Sequence, residues 1–489
     1  MQTVSRFFLG YIFVVALAFR YIILFLLDTG GDGDWYAYTI VANNIIRGCG
    51  VSMSNPDTDA CVPHFGGNGL PGYPAFIAAI WSLVGPSKPA VLWSQATIAA
   101  LAVPRLAYAV GQLTQSRFAA LAAGMVVALS PWEVLWVRTG LSETLSIGAV
   151  TWLLAELVLS VHQRRLRTGW VAVAFTAGLF LRLDFIVYLP AVALTALYVH
   201  GIRQGILRCA VLACLIAMPL AAWTARNLAV GLRELLPPAS GWMLPNGSTG
   251  PLGYLAWVAS WATTEEQRAN AMFFLRYRYE RIKIDPTAYR GPEQEREIGA
   301  LLQDLHGISG QPFPARIDAA FAGLAEENLA AIGFAGRLRL HLAQAWGLWA
   351  NWALPVPPEY LQARSANAMA AVAKVTHSHA RLMQTFMWTY RFVLGVGFLS
   401  LALLALATRQ AREEVFFVCL ALAVVAAKTA LAVKGLFLET RYTVTATPAL
   451  ELAVCLVAFG FWKRYRRGAG AAADVHHTGP DHRPEPASS

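Results

Sequence analysis

Long apolar runs separated by short basic turns dominate this chain. Runs near 7–27, 90–111, 118–136, 141–161, 169–182, 184–200, 207–225, 389–408, 415–434 and 442–462 approach the roughly 20 residues that carry a helix across a bilayer. Arg164-Arg165-Leu166-Arg167, then Arg203 with Arg208, then Arg409 with Arg412, and finally Lys463-Arg464-Tyr465-Arg466-Arg467 fall on alternate turns. A lysine and arginine bias of this kind marks the cytoplasmic side, which puts both ends of the chain inside. The pattern predicts an all-α polytopic membrane protein of about ten transmembrane helices. It adds surface helices in the first outer loop and a helical region on the outer face.

Two stretches break the alternation. Residues 28–88 form the first outer loop, in which Asp34 to Ile46 reads as a short amphipathic helix closed by Gly48. Asp34 starts that helix, where the free amides favour a carboxylate. Gly72 to Trp81 is too short for a comfortable crossing and reads as a helix lying along the membrane surface, with a crossing as the alternative. Residues 226–388 are polar and proline-interrupted and contain no span. Leu255 to Arg281 and Ala319 to Trp352 carry helical periodicity there. Arg337-Leu338-Arg339-Leu340-His341 followed by Trp346, Trp349 and Trp352 reads as a basic, tryptophan-rich helix on headgroups. The expected units are thus 1–225 with its acidic first loop, 226–388 outside, 389–467 in the membrane, and a disordered cytoplasmic tail at 468–489.

Composition agrees with a bilayer setting. Of 489 residues 56% are hydrophobic and 14% charged, and the mean hydropathy is +0.47; soluble domains carry about 25% charged residues. The net charge of +10 (39 − 29) sits largely in short loops, so it points to anionic lipid and phosphate and not to nucleic acid. Phe7 to Leu27 is longer than a typical signal-peptide core and lacks a clean cleavage site, so it reads as a span. The six cysteines show no metal-ligand spacing. Cys209, Cys214, Cys419 and Cys455 read as packing residues, whereas Cys49 and Cys61 share the outer loop, where a disulfide is permitted. His476, His477 and His482 read as part of a solvated tail. No internal repeat of fixed period is visible.

Sidedness then gathers the polar residues that carry chemistry. Asp28, Asp32 and Asp34 lie beside Trp35, Tyr36 and Tyr38 in the first loop; Arg138 and Glu143 lie at the second outer turn. Arg182 and Asp184 occupy the third, Arg226 follows the seventh span, and Lys434, Glu439 and Arg441 join the last two. Carboxylates and cations on one membrane face suit a phosphorylated lipid: cations neutralise the leaving phosphate while a carboxylate takes a proton. A free aspartate, at about 3.9, is a weak base at neutral pH, and partial burial against aromatics raises it. Asp34 is the candidate base and Glu143 the second acid. Asp32, Arg20, Arg138, Arg182, Arg226, Lys434, Arg441 and Tyr38 are the candidates for holding substrate. Asp32 and Asp34 also have the spacing of a turn or calcium loop, so a divalent cation is an open alternative without a full ligand set. Arg20 interrupts the first span, either snorkelling to headgroups or answering a lipid phosphate or the acidic loop. Arg182 with Asp184 reads equally as a structural ion pair, and Glu143 as a first-turn helix residue. Asn246-Gly247-Ser248 fits a glycosylation acceptor pattern that arises readily by chance.

The order of these residues resembles the GT-C-fold glycosyltransferases that use polyprenyl-phosphate sugars, such as protein O-mannosyltransferases and the aminoarabinose transferases of lipid A. The resemblance is carried by Asp34 four residues before Tyr38, then Ala42-Asn43-Asn44-Ile45, Pro71-Gly72-Tyr73-Pro74, and Ser130-Pro131 before Arg138-Thr139 and Ser142-Glu143. It continues through Leu181-Arg182, Leu189-Pro190, Trp223-Thr224-Ala225-Arg226-Asn227 and Arg441-Tyr442 with Pro448. It covers residues 1 to about 230 and 385 to 465. The resemblance implies Asp34 as catalytic base, Glu143 as a second outer acid, and Arg226 and Arg441 at the lipid phosphate. It also implies a polyprenyl-phosphate-linked sugar as donor, undecaprenyl in a bacterium. The acceptor would be a glycan, lipid or protein, reached from the outer face of the cytoplasmic (inner) membrane. A transporter or flippase for a lipid-linked or anionic solute is the alternative from another class, and a structural subunit of an envelope-synthesis complex is a third.

Overall fold

The computed structural model describes residues 5–26, 33–54, 61, 63, 70–232, 251–272, 274–275, 278–309, 311–350, 376–407, 412–434 and 441–477. All regular structure among them is helical. In chain order the helices are α1 (Arg6–Leu26), α2 (Gly33–Ile46), α3 (Gly72–Val84), α4 (Lys88–Thr114), α5 (Arg117–Ala128), α6 (Pro131–Val134), α7 (Glu143–His162), α8 (Thr168–Leu181) and α9 (Leu189–Ala229). There follow α10 (Leu252–Ala259), α11 (Glu265–Met272), α12 (Pro292–Gly307), α13 (Ala315–Ala350), α14 (Thr376–Ala407), α15 (Arg412–Lys434), α16 (Arg441–Val444) and α17 (Thr447–His477).

Among the described residues eight helical segments are long and apolar enough to cross a membrane, the longest running from Leu183 to Ala229 over 47 residues. That segment is two limbs. At Gly201 (φ 72°, ψ 176°) the backbone leaves the helical region, and Gly205 lies against the backbone of Ala196 and Leu197. Residues eight apart on one straight helix stand about 12 Å apart, so the chain folds back here. The two limbs correspond to the separate runs expected at 184–200 and 207–225. With the 14-residue α8 they complete the ten segments read from the sequence. The chain is an all-α, multi-pass membrane protein.

Small residues let the central helices approach closely. A Cβ on Gly148 of α7 would meet the Cα of Ala99 on α4 at 3.0 Å, and one on Gly124 of α5 would meet Ala107 and Ile12 at 3.1 Å. The main core accordingly runs through α1, α4, α5, α7, α8, α9, α15 and α17. A second core lies within the 226–388 region, where Tyr254, Trp257, Met272, Tyr279, Ile298, Ile317 and Phe321 pack together.

The same region departs from its periodicity in two places. The run Leu255 to Arg281 is not one helix: α10 stops at Ala259, and Thr264 accepts from the Gln267 amide at 3.2 Å as α11 begins. A threonine hydroxyl competes with the helix ladder and suits a cap. The run Ala319 to Trp352 also reverses, at Gly333 (φ 59°). There the Arg337 guanidinium donates to the Leu329 carbonyl at 2.9 Å. The returning limb joins the region to the bundle: Trp349 Nε1 donates to Thr429 at 2.8 Å. At the other end of the chain α17 continues through His477, past Gly468, because Gly-Ala-Gly-Ala-Ala-Ala is largely alanine and sustains a helix.

Candidate active site at one end of the bundle

Among the described residues the ion pairs of the membrane bundle fall at its two ends. At one end Arg105 (2.7 Å) and Arg167 (2.6 Å) close on the buried Glu156, and Arg164 meets Glu413 while Arg464 meets Glu414. These belong to the arginine-rich turns. The other end carries a different assembly, built from three helix termini.

Arg182 follows α8 in extended conformation (φ −152°, ψ 124°), which turns its side chain out of the helix ladder. It donates through Nη1 to Glu143 Oε1 at 2.6 Å and through Nε to Asp184 Oδ1 at 3.0 Å. Lys428, buried in α15, donates to the other oxygen of Asp184. The Tyr442 ring covers both cations, 5.4 Å from the Arg182 guanidinium and 5.9 Å from the Lys428 ammonium. Two acids and two bases thus alternate in a nearly dry pocket, each charge answered by an opposite one. Glu143 heads α7, where the unbonded amides add a further favourable field.

Described parts of the first loop pack against the turns that bear this assembly. A Cβ on Gly140 would come within 2.2 Å of the Trp35 ring, so only a glycine admits that indole three residues before Glu143. Asp34 is the residue before Trp35, on the first turn of α2. Gly72 at the start of α3 lies against the Phe180 carbonyl, two residues before Arg182. Tyr38 packs edge-on to Tyr73 at 4.9 Å. Tyr73 donates to Gln95, whose amide donates to the carbonyls of Val137 (3.1 Å) and Thr139 (2.9 Å). One polar chain therefore ties α3 and α4 to the turn that bears Arg138, itself buried. α2 ends through Gly48 at φ 84°, and Asn44 donates to the carbonyls of Ser52 and Ser54. Cys49 and Cys61 are joined, Cα to Cα 5.3 Å. Arg226, stacked 5.0 Å over Trp223, holds the same loop through the Val51 carbonyl at 2.8 Å.

The sequence-predicted residues therefore divide. Glu143 and Arg182 meet, Arg138 and Tyr38 lie in the surrounding wall, and Arg226 grips the loop from α9. Asp28, Asp32 and Glu439 lie outside the described residues, as do the side chains of Asp34, Lys434 and Arg441. Among the described residues no three histidine, cysteine or acidic side chains converge as a metal site. The Asp32 and Asp34 cation expectation falls outside them.

Arg20 goes elsewhere. It is buried, donates to the carbonyls of Ala16 (3.1 Å) and Ala128 (3.4 Å), and lies in the field of Glu133 and Glu451. Tyr390 donates to Glu451 in the same group. Tyr188 stands between the two polar assemblies, donating to the Thr445 carbonyl within reach of both Glu133 and Asp184. Lys428, Glu133 and Glu451 were missed by reading sidedness alone. Their signal is an ionisable residue inside an apolar span, which is costly and faces the protein interior.

No protein-family model matches the chain, and no curated protein matches it. Among solved structures it is similar to ArnT from Cupriavidus metallidurans bound to undecaprenyl phosphate, at 14% identity and a TM-score of 0.39, over 98% of this chain and 82% of that one. The same protein in the apo state gives 15% identity and a TM-score of 0.37, over 90% and 77%.

Proposed function

We propose that this chain is a membrane glycosyltransferase that moves a sugar from a polyprenyl-phosphate donor to a hydroxyl or amine of an acceptor, with inversion. The observation that supports the reading most directly is the Glu143–Arg182–Asp184–Lys428 assembly, with Asp34 one residue before the Trp35 that packs on Gly140, three residues from Glu143. In this reading the acceptor oxygen attacks the anomeric carbon from the face opposite the phosphate. The bond from that carbon to the phosphate oxygen breaks with its electrons leaving on phosphate, and Asp34 takes the acceptor proton. Arg226, Lys434 and Arg441 hold the departing phosphate, while Glu143 fixes Arg182 in place. The Cys49–Cys61 disulfide in the first loop favours placing this end in an oxidising compartment, outside the cytoplasm.

A labelled polyprenyl-phosphate sugar and reconstituted protein test the reading. Asp34→Asn abolishes transfer while expression and donor binding persist; normal turnover by that variant removes Asp34 as the base. One observation favours a second reading. Arg20, Glu133 and Glu451 are ionisable groups buried within the spans, as a transporter or flippase of an anionic or lipid-linked solute requires. Such a protein moves solute across vesicles without consuming donor.

A further inference from the structure

Four polar side chains meet inside the bundle: Arg20 from α1, Glu133 from α6, Tyr390 from α14 and Glu451 from α17. Arg20, Glu133 and Glu451 are buried to within 2% of completely. Arg20 Nη1 donates to the carbonyls of Ala16 and Ala128, which fixes the guanidinium so that its charge acts on both glutamates. Tyr390 donates to Glu451 Oε1. Among the described residues the other ionisable groups facing the glutamates are Tyr188, just before α9, and Cys455, one turn along α17. A phenol and a thiol are ordinarily neutral at physiological pH.

The charges do not balance as they stand. Two carboxylates would face one guanidinium, in a setting where an unanswered charge is costly. Both oxygens of Glu133 and Oε2 of Glu451 are buried, and no donor among the described residues reaches them. The two carboxyl groups instead lie within hydrogen-bonding reach of each other. An ionised carboxylate only accepts, so two anions so placed repel. A single proton removes each difficulty: it supplies the missing donor, joins the carboxyls, and makes the set with Arg20 neutral. The place is also particular. Glu133 lies five residues before Arg138 and Glu451 nine residues after Tyr442, so the pair joins the two segments that lead to the charged pocket.

We infer that Glu133 and Glu451 form one proton-binding site, a carboxylic acid hydrogen-bonded to a carboxylate whose charge answers Arg20, and that the shared proton fastens α6 to α17. The inference does not rest on the proposed transfer reaction. Infrared spectroscopy of purified protein in heavy water at neutral pH tests it, through the carbonyl stretch of a protonated carboxyl. The wild type should show this band, and isotope labelling of glutamate carboxyls should shift it. The other buried glutamates, Glu143, Glu156 and Glu414, are each paired with arginine and should not contribute. Glu133→Gln and Glu451→Gln should each abolish the band, because the remaining acid ionises against Arg20 and takes the new amide as its donor. Arg20→Gln should raise it about two-fold, because a neutral pair then needs two protons. Melting temperatures report the folding of the variants, and the labelled wild type decides alone where a variant does not fold. The inference is overturned by a wild type without the band, by a band that survives in either folded glutamine variant, or by no rise in folded Arg20→Gln. A band that appears only when choline replaces sodium would also overturn it, by making the ligand a metal cation.

Discussion

A lysine inside an apolar helix is tolerable only when its charge is answered, and at Lys428 the answer comes from a residue 244 positions away. With Glu143, Arg182 and Asp184 it makes a neutral set of four. Lys428→Met leaves one negative charge in a dry setting and should cost about 3 to 5 kcal/mol, read as a lower melting temperature in detergent. Adding Asp184→Asn to that variant restores neutrality and should recover part of the loss; a purely additive double variant would refute the coupling. This part of the site was only half legible. Arg182 and Asp184 are neighbours in sequence and were seen together, and Glu143 was singled out. Lys428 announced itself only as a break in Val424-Val425-Ala426-Ala427, and Lys434, near the loop, drew the attention instead. Pairing across such a distance has no sequence signature.

Elements were more legible than pairs, since a crossing is written as length and apolarity. The reversals were not equally visible. Arg203 and Arg208 closely follow the break at Gly201 and betray it, while Gly333 sits in an alanine-rich helical run where a glycine is unremarkable. The close approach of Trp35 to Gly140 was likewise hidden, since glycine is chosen there for what it lacks. Gly140→Ala pushes against the indole and shifts the first turn of α2 with Asp34. Misplacement by about 1 Å costs as much as 100-fold in rate, so transfer should fall by about 10- to 100-fold with donor binding retained. Trp35→Ala added to Gly140→Ala removes the obstruction and should return part of the rate. A Gly140→Ala enzyme of normal rate would separate the Trp35 contact from the chemistry.

At the scale of the whole molecule, everything depends on which end faces outward. Tyr36 is exposed beside the assembly, and Arg164 is largely exposed at the opposite end. Tyr36→Cys in intact cells should react with a membrane-impermeant maleimide, and Arg164→Cys only after permeabilisation. The reverse result would move the proposed site to the cytosol and end the present reading.

The second limb of α9 leans on the bundle along a narrow stripe, through Gly205, Leu212, Ile216 and Asn227, while Ile206, Leu207, Val211 and Met218 point away. Among the described residues little protein covers that outward face, and its side chains suit acyl chains. A rod embedded this way takes its slope from the thickness of the sheet around it. Because Arg226 near its tip grasps the first loop at the Val51 carbonyl, a change in that slope would be carried to the loop.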